Sequence, residues 1–281
     1  MSSSLFPLSA AQSFLKWAGV YHRLKASSLY DLYWTVADRR IIDARDLEIR
    51  FYSKVLEGFR RGDLVFDIGA NHGAKTDVFL RLGARVVAVD PDETNERVLR
   101  EGFLSLRVRP KPVVIVAKAL SDKEAVETMW IDAPGSAKNT LNRKWVQVLR
   151  NDHTRFGAAL DFGHSKPVST TTLDHLMEAH GVPFFVKIDV EGFEAVVLRG
   201  LRRPVPYLSF EVNLPEFRAE GLECVERLAS LAPDGSFNYT ADYAGGLTLS
   251  RWLPAADFCK VLDGCVEPSI EVFWRTPTVP S

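Results

Sequence analysis

The chain has 281 residues, of which 46% are hydrophobic and 25% are charged, and its net charge is −1. This composition is ordinary for a soluble globular protein. The near-zero charge and the short basic runs argue against a nucleic-acid partner, and no apolar run is long enough to be an integral membrane segment. Three cysteines that match no metal-binding spacing, and a first segment without signal-peptide features, predict a reduced, cytoplasmic protein.

The chain is predicted to begin with a helical extension over residues 1–45, because apolar side chains recur there at helical spacing. These helices could pack over a sheet, act as a substrate lid, or serve as the arm of a homodimer. Residues 46–281 are predicted to form the main domain, which a helix over 44–59 introduces.

From residue 64 onward, strands alternate with helices, and this alternation is typical of repeated βαβ units. The strands are apolar enough to be buried on both faces, as parallel strands are. We therefore expect an α/β fold in which a seven-stranded, mostly parallel sheet carries helices on both faces. The predicted strands are 64–68, 86–90, 113–117, 184–188, 207–212, 237–240 and 270–275, and a further hairpin strand covers 126–131.

Residues 132–167 interrupt this rhythm, because they contain several prolines and glycines and show little periodicity. An irregular insertion of this length is more often functional than idle. We expect it, together with the N-terminal helices, to cover the acceptor side of the site.

The first predicted strand and the turn that follows it contain the features of a nucleotide-type site. Gly69 and Gly73 permit a tight turn, and Asp90 follows Gly69 by 21 positions, the distance at which an acid can accept hydrogen bonds from a ribose diol. Asn71 occupies the position where a dinucleotide site needs its second glycine, so its side chain obstructs a pyrophosphate. Asp67 would repel a phosphate and attract a cation. These features favour S-adenosylmethionine over a nicotinamide cofactor, and a methyltransferase over a dehydrogenase.

Ligands of open α/β sheets bind beyond the carboxyl ends of the strands, so the residues that follow each strand are the candidates. The predicted cofactor-binding residues are Asp67, Gly69, Ala70, Asn71, Gly73, Asp90, Pro91, Ser121 and Asp122. The next two strands are followed or ended by Lys187, Asp189, Glu191, Glu211 and Asn213. Carboxylates at one edge repel one another, so a cationic ligand, a metal ion or Lys187 is expected among them.

Four motifs together resemble the FkbM-type methyltransferases. They are the sequence FDIGANxG from Phe66, ALSD from Ala119, TTLD from Thr171, and KIDVEGFE from Lys187 with a later LRG. The resemblance covers roughly residues 50–215. It implies a class I methyltransferase (Rossmann-like) fold, S-adenosylmethionine as the cofactor, and usually O-methylation of a hydroxyl on a sugar, glycan, lipid-linked saccharide or natural product. His72 differs from the smaller or polar residue usual in the family.

Methyl transfer to a hydroxyl is helped by a base that accepts its proton. The predicted catalytic residues are Asp189 or Glu191 as this base and Lys187 as the group that steers their charge. His72, His153 and His164 are alternative bases. A magnesium or calcium ion held by Asp189, Glu211 and Asn213 is a further alternative, although we expect no metal.

Two other functions stay open at this point. An N- or C-methyltransferase could use the same fold, and a non-catalytic S-adenosylmethionine-binding protein could retain it. The acceptor is not identified by the sequence beyond a small molecule or a glycan.

Overall fold

The computed structural model describes residues 39–104, 111–152, 155 and 160–277. The N-terminal extension up to residue 38 and His153 therefore lie outside the described residues. Within the described residues, helices flank an eight-stranded sheet, and three other strands form a second sheet. No helix in this part of the chain is both long enough and apolar enough to cross a membrane.

The first half of the described chain contains these elements in order: α1 (Arg39–Val55), β1 (Leu64–Ile68), α2 (Ala74–Leu82), β2 (Arg85–Val89), α3 (Glu93–Phe103), β3 (Val113–Val116), β4 (Ala119–Leu120), β5 (Val126–Ile131) and α4 (Arg143–Asn151). The second half continues with β6 (His164–Thr171), α5 (Leu173–His180), β7 (Phe185–Ile188), α6 (Glu194–Arg199), β8 (Tyr207–Asn213), α7 (Arg218–Leu231), β9 (Ser236–Thr240), β10 (Leu253–Pro254), α8 (Ala255–Asp263) and β11 (Ser269–Arg275).

The main sheet has the strand order β10-β9-β11-β8-β7-β1-β2-β3. Strands β1, β2, β3, β7 and β8 are parallel, and β11 runs antiparallel between β8 and β9. The chain builds the sheet from β1 towards β3 and then returns to the other side of β1 with β7. This reversal opens a crevice at the carboxyl ends of β1 and β7, where ligands of such sheets bind.

The predicted α/β fold is confirmed, but the predicted count of seven strands is wrong. Within the described residues the main sheet has eight strands, because the two-residue strand β10 pairs with β9 at its edge. The predicted strand 126–131 is β5, which pairs with β6 in the second sheet. Helix α8 was not predicted, although Phe258 and Leu262 mark its buried face.

Alternation along the strands divides the core between the two faces of the main sheet. Phe66 and Val186 face the cluster that includes α6 and α7, whereas Val65 and Phe185 face the cluster that includes α1 and α2. The face towards α1 and α2 also carries buried polar side chains. Lys187 of β7 lies there between Asp67 of β1 and Ser209 of β8, and all three are buried. A buried ammonium requires opposite charges nearby, and these lie at the carboxyl edge.

The predicted irregular insertion contains regular structure. Helix α4 begins after Asn142, whose side-chain oxygen accepts the backbone N–H of Lys144 at 2.8 Å, and its Trp145 and Leu149 are completely buried. The sequence signal for this helix is the asparagine cap followed by apolar residues on one face. The predicted boundary between residues 45 and 46 falls inside α1.

Candidate functional site

A cavity of about 140 Å³ lies at the carboxyl ends of β1, β2 and β7. Six of the predicted site residues line it: Gly69, Asn71, Asp90, Pro91, Asp189 and Glu191. Residues that were not predicted complete much of its wall: Asp92, Asn95, Lys118, Ala119, Leu120, Ser136, Asn139 and Thr140. The parallel strands thus bring together the acids that the sequence places at their ends.

The other predicted residues lie behind or beside this wall. Asp67 is 1% exposed, and its carboxylate accepts the hydroxyl of Thr76 at 2.6 Å, so it ties β1 to α2. Burial raises the pKa of Asp67, even though Lys187 and Thr76 oppose the shift. Ala70 and Gly73 belong to the same turn, in which the Gly73 N–H donates to the Ala70 carbonyl at 2.8 Å.

Ser121 and Asp122 follow β4 rather than β3. The hydroxyl of Ser121 is buried and donates to Glu127 at 2.7 Å, while Asp122 is exposed. The residues that line the cavity here are Lys118, Ala119 and Leu120, because the short strand β4 follows β3 before Ser121.

Asp90 is held by three donors inside the protein. Its carboxylate accepts the backbone N–H groups of Asn71 at 2.8 Å and Asp92 at 2.9 Å, and the side-chain amide of Asn95 at 3.0 Å. Burial raises its pKa, and these hydrogen bonds oppose the rise. The carboxylate is thereby fixed in the cavity wall with acceptor capacity left for a ligand.

Residues 132–145, which we call the strap, close one side of the cavity. Asp92 accepts the side-chain amide of Asn139 at 2.9 Å and the backbone N–H of Gly135 at 3.2 Å. The side-chain amide of Asn71 donates to the carbonyl of Gly135 at 3.3 Å. Small polar side chains that bond nearby backbone groups thus attach the strap to the end of β2.

The other end of the strap is attached to the turn after β7. The hydroxyl of Thr140 donates to the Glu191 carbonyl at 2.8 Å, and the side-chain amide of Asn142 donates to the carbonyl of Gly192. The indole N–H of Trp145 donates to the Glu191 carboxylate at 2.9 Å. The strap therefore joins the Asp92 side of the cavity to Glu191.

Asp189, Glu191 and Glu211 form a carboxylate cluster whose oxygens lie within 4.8 Å of one another. Lys187 donates to Asp189 at 2.7 Å. Burial alone would raise the pKa of Asp189, but the charge and hydrogen bond of Lys187, together with Lys75 and Glu211, lower it. Conversely, burial would lower the pKa of Lys187, and the surrounding carboxylates raise it. This ion pair is therefore charged throughout the neutral range.

The other two members of the cluster favour their protonated forms. Burial and then the charge of Asp189 raise the pKa of Glu191 to about 8, and the same two causes raise that of Glu211 well above its usual value. Lys187 and these protons offset the negative charge of the cluster. The side-chain oxygen of Asn213, the third residue of the alternative metal site, accepts a hydrogen bond from the guanidinium of Arg155 at 3.3 Å.

Of the three histidines predicted as alternative bases, the two that lie in the described residues, His72 and His164, are exposed. His72 follows Asn71 in the glycine turn, and His164 is the first residue of β6. Neither belongs to the cavity wall, so the structure gives no support to either as the base.

Glu194 holds the turn that carries Glu191. Its buried carboxylate accepts the backbone N–H groups of Val190 at 3.0 Å and Gly192 at 3.3 Å. Burial nevertheless raises its pKa to about 7 from the usual 4.5. Because the folded-state pKa is the higher one, the stabilisation from this group is complete below about pH 4.5 and is lost as the pH rises to about 7.

We expect Glu194→Gln to increase the free energy of unfolding at pH 8 by about 1–3 kcal/mol and to change it little at pH 4. The amide oxygen can accept both backbone bonds, while the cost of ionising a buried acid disappears. Urea unfolding at the two pH values measures this, with Glu178→Gln on the exposed face of α5 as the control. A variant less stable than the wild type at pH 8 would show that the two hydrogen bonds need the charge.

Solved structures of similar layout include three methyltransferases. A SAM-dependent methyltransferase from Agrobacterium tumefaciens is 11% identical with a TM-score of 0.41, and the match covers 83% of this chain and 62% of that one. A TehB-like SAM-dependent methyltransferase from Corynebacterium glutamicum is 9% identical with a TM-score of 0.40, over 82% of this chain and 88% of that one. The C-terminal domain of precorrin-6Y C5,15-methyltransferase from Rhodobacter capsulatus is 13% identical with a TM-score of 0.40, over 82% and 89%.

The chain thus spans 62% of the Agrobacterium protein. Identities this low say nothing about the reaction or the acceptor. Comparison with curated proteins finds no match.

The sequence itself is more informative, because it matches the model of the methyltransferase FkbM domain over residues 67–228, which is more than half of the chain. The matched region begins at Asp67 and includes the glycine turn, the end of β2, the strap and the carboxylate cluster. The chain belongs to the FkbM methyltransferase family and is an S-adenosylmethionine-dependent methyltransferase.

Proposed function

We propose that this methyltransferase transfers the methyl group to a hydroxyl of a polar small molecule or glycan, with Glu191 as the general base. The observation that carries the proposal is the Glu191 carboxylate in the cavity wall, where burial and Asp189 raise its pKa to about 8. A hydroxyl becomes a good nucleophile when its proton is accepted, and a base works best when its pKa is near the working pH.

The wall of the cavity fits the cofactor. Asp90 offers a fixed carboxylate to the ribose hydroxyls, and the side-chain oxygen of Asn95 is buried in the same wall without a hydrogen-bond partner. Among the described wall residues, Lys118 is the one basic side chain, and Glu124 lies 3.7 Å from it. S-adenosylmethionine supplies an electrophilic methyl group on a sulfonium, and a wall rich in carboxylates suits that charge and disfavours a pyrophosphate.

Asp189 and Lys187 have roles different from that of Glu191. The lowered pKa of Asp189 makes it a poor proton acceptor, but its fixed negative charge raises the proton affinity of Glu191. Lys187 keeps Asp189 ionised and in place through the 2.7 Å contact. The reaction then depends on alignment of the acceptor oxygen, exclusion of water by the strap, and one proton transfer to Glu191.

We expect Asp90→Ala to weaken binding of S-adenosylhomocysteine by about 10- to 100-fold, the scale for losing hydrogen bonds to a charged group. The free energy of unfolding should also fall, by about 1–3 kcal/mol, because three N–H donors lose their acceptor. Calorimetric titration and urea unfolding measure the two effects. The stability loss is not evident from the sequence, in which Asp90 is only a ligand at the end of a strand.

The control is Asp234→Ala, which removes an exposed aspartate before β9, at the opposite end of the sheet. It should change neither quantity. An unchanged dissociation constant for Asp90→Ala would show that another group holds the ribose.

The reaction itself is tested by incubating the protein with S-adenosylmethionine and a set of acceptors that carry sugar, phenol or amine groups. Mass spectrometry of the products locates the methyl group, and each reaction is repeated with EDTA. We expect methylated hydroxyls and the same rate with and without the chelator. Methylation of amines alone would overturn the hydroxyl assignment, and a chelator-dependent rate would overturn the assignment of Glu191 as a metal-independent base.

The cellular setting belongs to the same proposal. All three cysteines are free, and two of them, Cys224 and Cys265, are buried, which supports a reducing, cytoplasmic location. The homodimer that the sequence left open is tested by measuring the mass of the protein in solution.

A further inference from the structure

Trp145 lies where the strap meets the proposed base. Its side chain is completely buried, with Phe217 edge-to-face at 5.3 Å and the Arg155 guanidinium over its ring at 5.2 Å. These contacts hold the indole in place, and its N–H donates to the Glu191 carboxylate at 2.9 Å. A buried tryptophan N–H needs a hydrogen-bond acceptor, and here the acceptor is the carboxylate proposed as the general base.

Glu191 is held by the strap at its backbone as well. It adopts the left-handed conformation, with φ 55°, which is rare for a residue other than glycine. Thr140 binds its carbonyl, and Asn142 binds the next carbonyl. The backbone is therefore fixed independently of Trp145, and the indole acts on the carboxylate alone.

Without the indole, the charged groups around Glu191 would move its carboxylate. The ionisable groups that face it come from three elements: Lys187 and Asp189 at β7, Glu194 of α6, and Glu211 of β8. The negative charge of Asp189 acts on Glu191 more strongly than the positive charge of Lys187, so an ionised Glu191 is repelled from the cluster. The Trp145 N–H is the donor that keeps the ionised form at the cavity wall.

We propose that Trp145 is a positioning residue for methyl transfer, which holds the Glu191 carboxylate towards the cavity through its indole N–H. This inference rests on the proposed role of Glu191 as the base. Trp145 itself is not among the residues that line the cavity. The insertion in which it lies therefore contributes to the chemistry and not only to the selection of the acceptor.

The test is Trp145→Phe, which keeps an aromatic ring against Phe217 and removes the donor. We expect kcat at pH 7 to fall by about tenfold or more, while KM for S-adenosylmethionine stays within about twofold. Because the N–H stabilises the ionised carboxylate, its removal should move the midpoint of the pH–kcat profile upward, by on the order of one pH unit. A purely structural role would lower kcat equally at every pH.

Leu149→Ala is the matched control, because Leu149 is completely buried on the same helix and bonds nothing in the cluster. It should lower the melting temperature and leave the pH midpoint unchanged. If Trp145→Phe does not fold, benzothienylalanine at position 145 keeps both rings and replaces the N–H with sulfur. The same upward shift is expected for that variant.

Glu191→Gln separates this inference from the proposed function. If Glu191→Gln loses turnover while Trp145→Phe keeps the wild-type midpoint, the positioning role is overturned and the base assignment stands. If Glu191→Gln turns over normally, the base assignment is overturned, and the positioning role is overturned with it.

Discussion

Replacement of Glu191 with glutamine is expected to lower turnover by about 10²-fold or more, the usual scale for loss of a general base. The substitution keeps the size of the side chain, and its amide oxygen can accept the Trp145 N–H that the carboxylate accepts now. The ion pair of Lys187 with Asp189 stays intact. Binding of S-adenosylhomocysteine should change little, because Asp90, the proposed ribose anchor, follows β2 and is not part of the carboxylate cluster.

The pH dependence of turnover provides a second test of Glu191 as the base. A base acts when it is ionised, and the pKa of Glu191 is about 8, so wild-type turnover should rise as the pH increases through 8 and fall below it. This rise of turnover with pH, the ascending limb of the pH–rate profile, should be absent from Glu191→Gln. Glu178→Gln on the exposed face of α5 is the control and should keep both the rate and the limb. Wild-type turnover in Glu191→Gln would disprove the assignment.

The position of the site could be predicted because it follows from topology. The carboxyl ends of parallel strands meet at one edge, so the residues after each strand converge regardless of the side chains between them. Gly69, Asp90 and Asp189 reach the cavity wall for this reason. Ser121 was predicted to follow β3 and to reach the site, but the short strand β4 lies between β3 and Ser121. The residue that follows β3 and lines the cavity is Lys118.

The division of roles between Asp189 and Glu191 could not be predicted, because it depends on distances across the fold. Both are acids at the end of one strand, and the sequence treats them alike. The structure distinguishes them by their hydrogen-bond donors. The ammonium of Lys187 donates to Asp189, whereas Glu191 accepts the indole N–H of Trp145, which is 46 positions away in the sequence. The short helices α4 and α8 were missed for a related reason, because each is a few turns long and becomes stable through packing rather than through its own periodicity.

Substitution of Gly69 with alanine is expected to lower the free energy of unfolding by about 3–5 kcal/mol, more than any other single methyl group added to this site. Gly69 has φ 81°, and an added Cβ would overlap the backbone carbonyl oxygen of Asp189. Neither backbone can move freely, because the Asp189 N–H donates to the Ile68 carbonyl at 3.0 Å and the Gly69 N–H donates to the Val89 carbonyl at 2.9 Å. The left-handed conformation contributes about 1–2 kcal/mol and the overlap the rest.

Gly58→Ala separates these two contributions. Gly58 has φ 86°, almost the same backbone conformation, and an added Cβ there meets nothing within 4 Å. It should lose only the conformational part, about 1 kcal/mol, and keep the affinity for S-adenosylhomocysteine. Gly69→Ala should in addition lower the affinity for S-adenosylhomocysteine by about tenfold or more. The added methyl group would push the glycine turn away from Asp189 and so widen the gap between the ends of β1 and β7, and both Gly69 and Asp189 line the cavity. Equal losses in the two variants, measured by urea unfolding and calorimetry, would show that the close approach of the two strand ends can relax, and that the site does not depend on it.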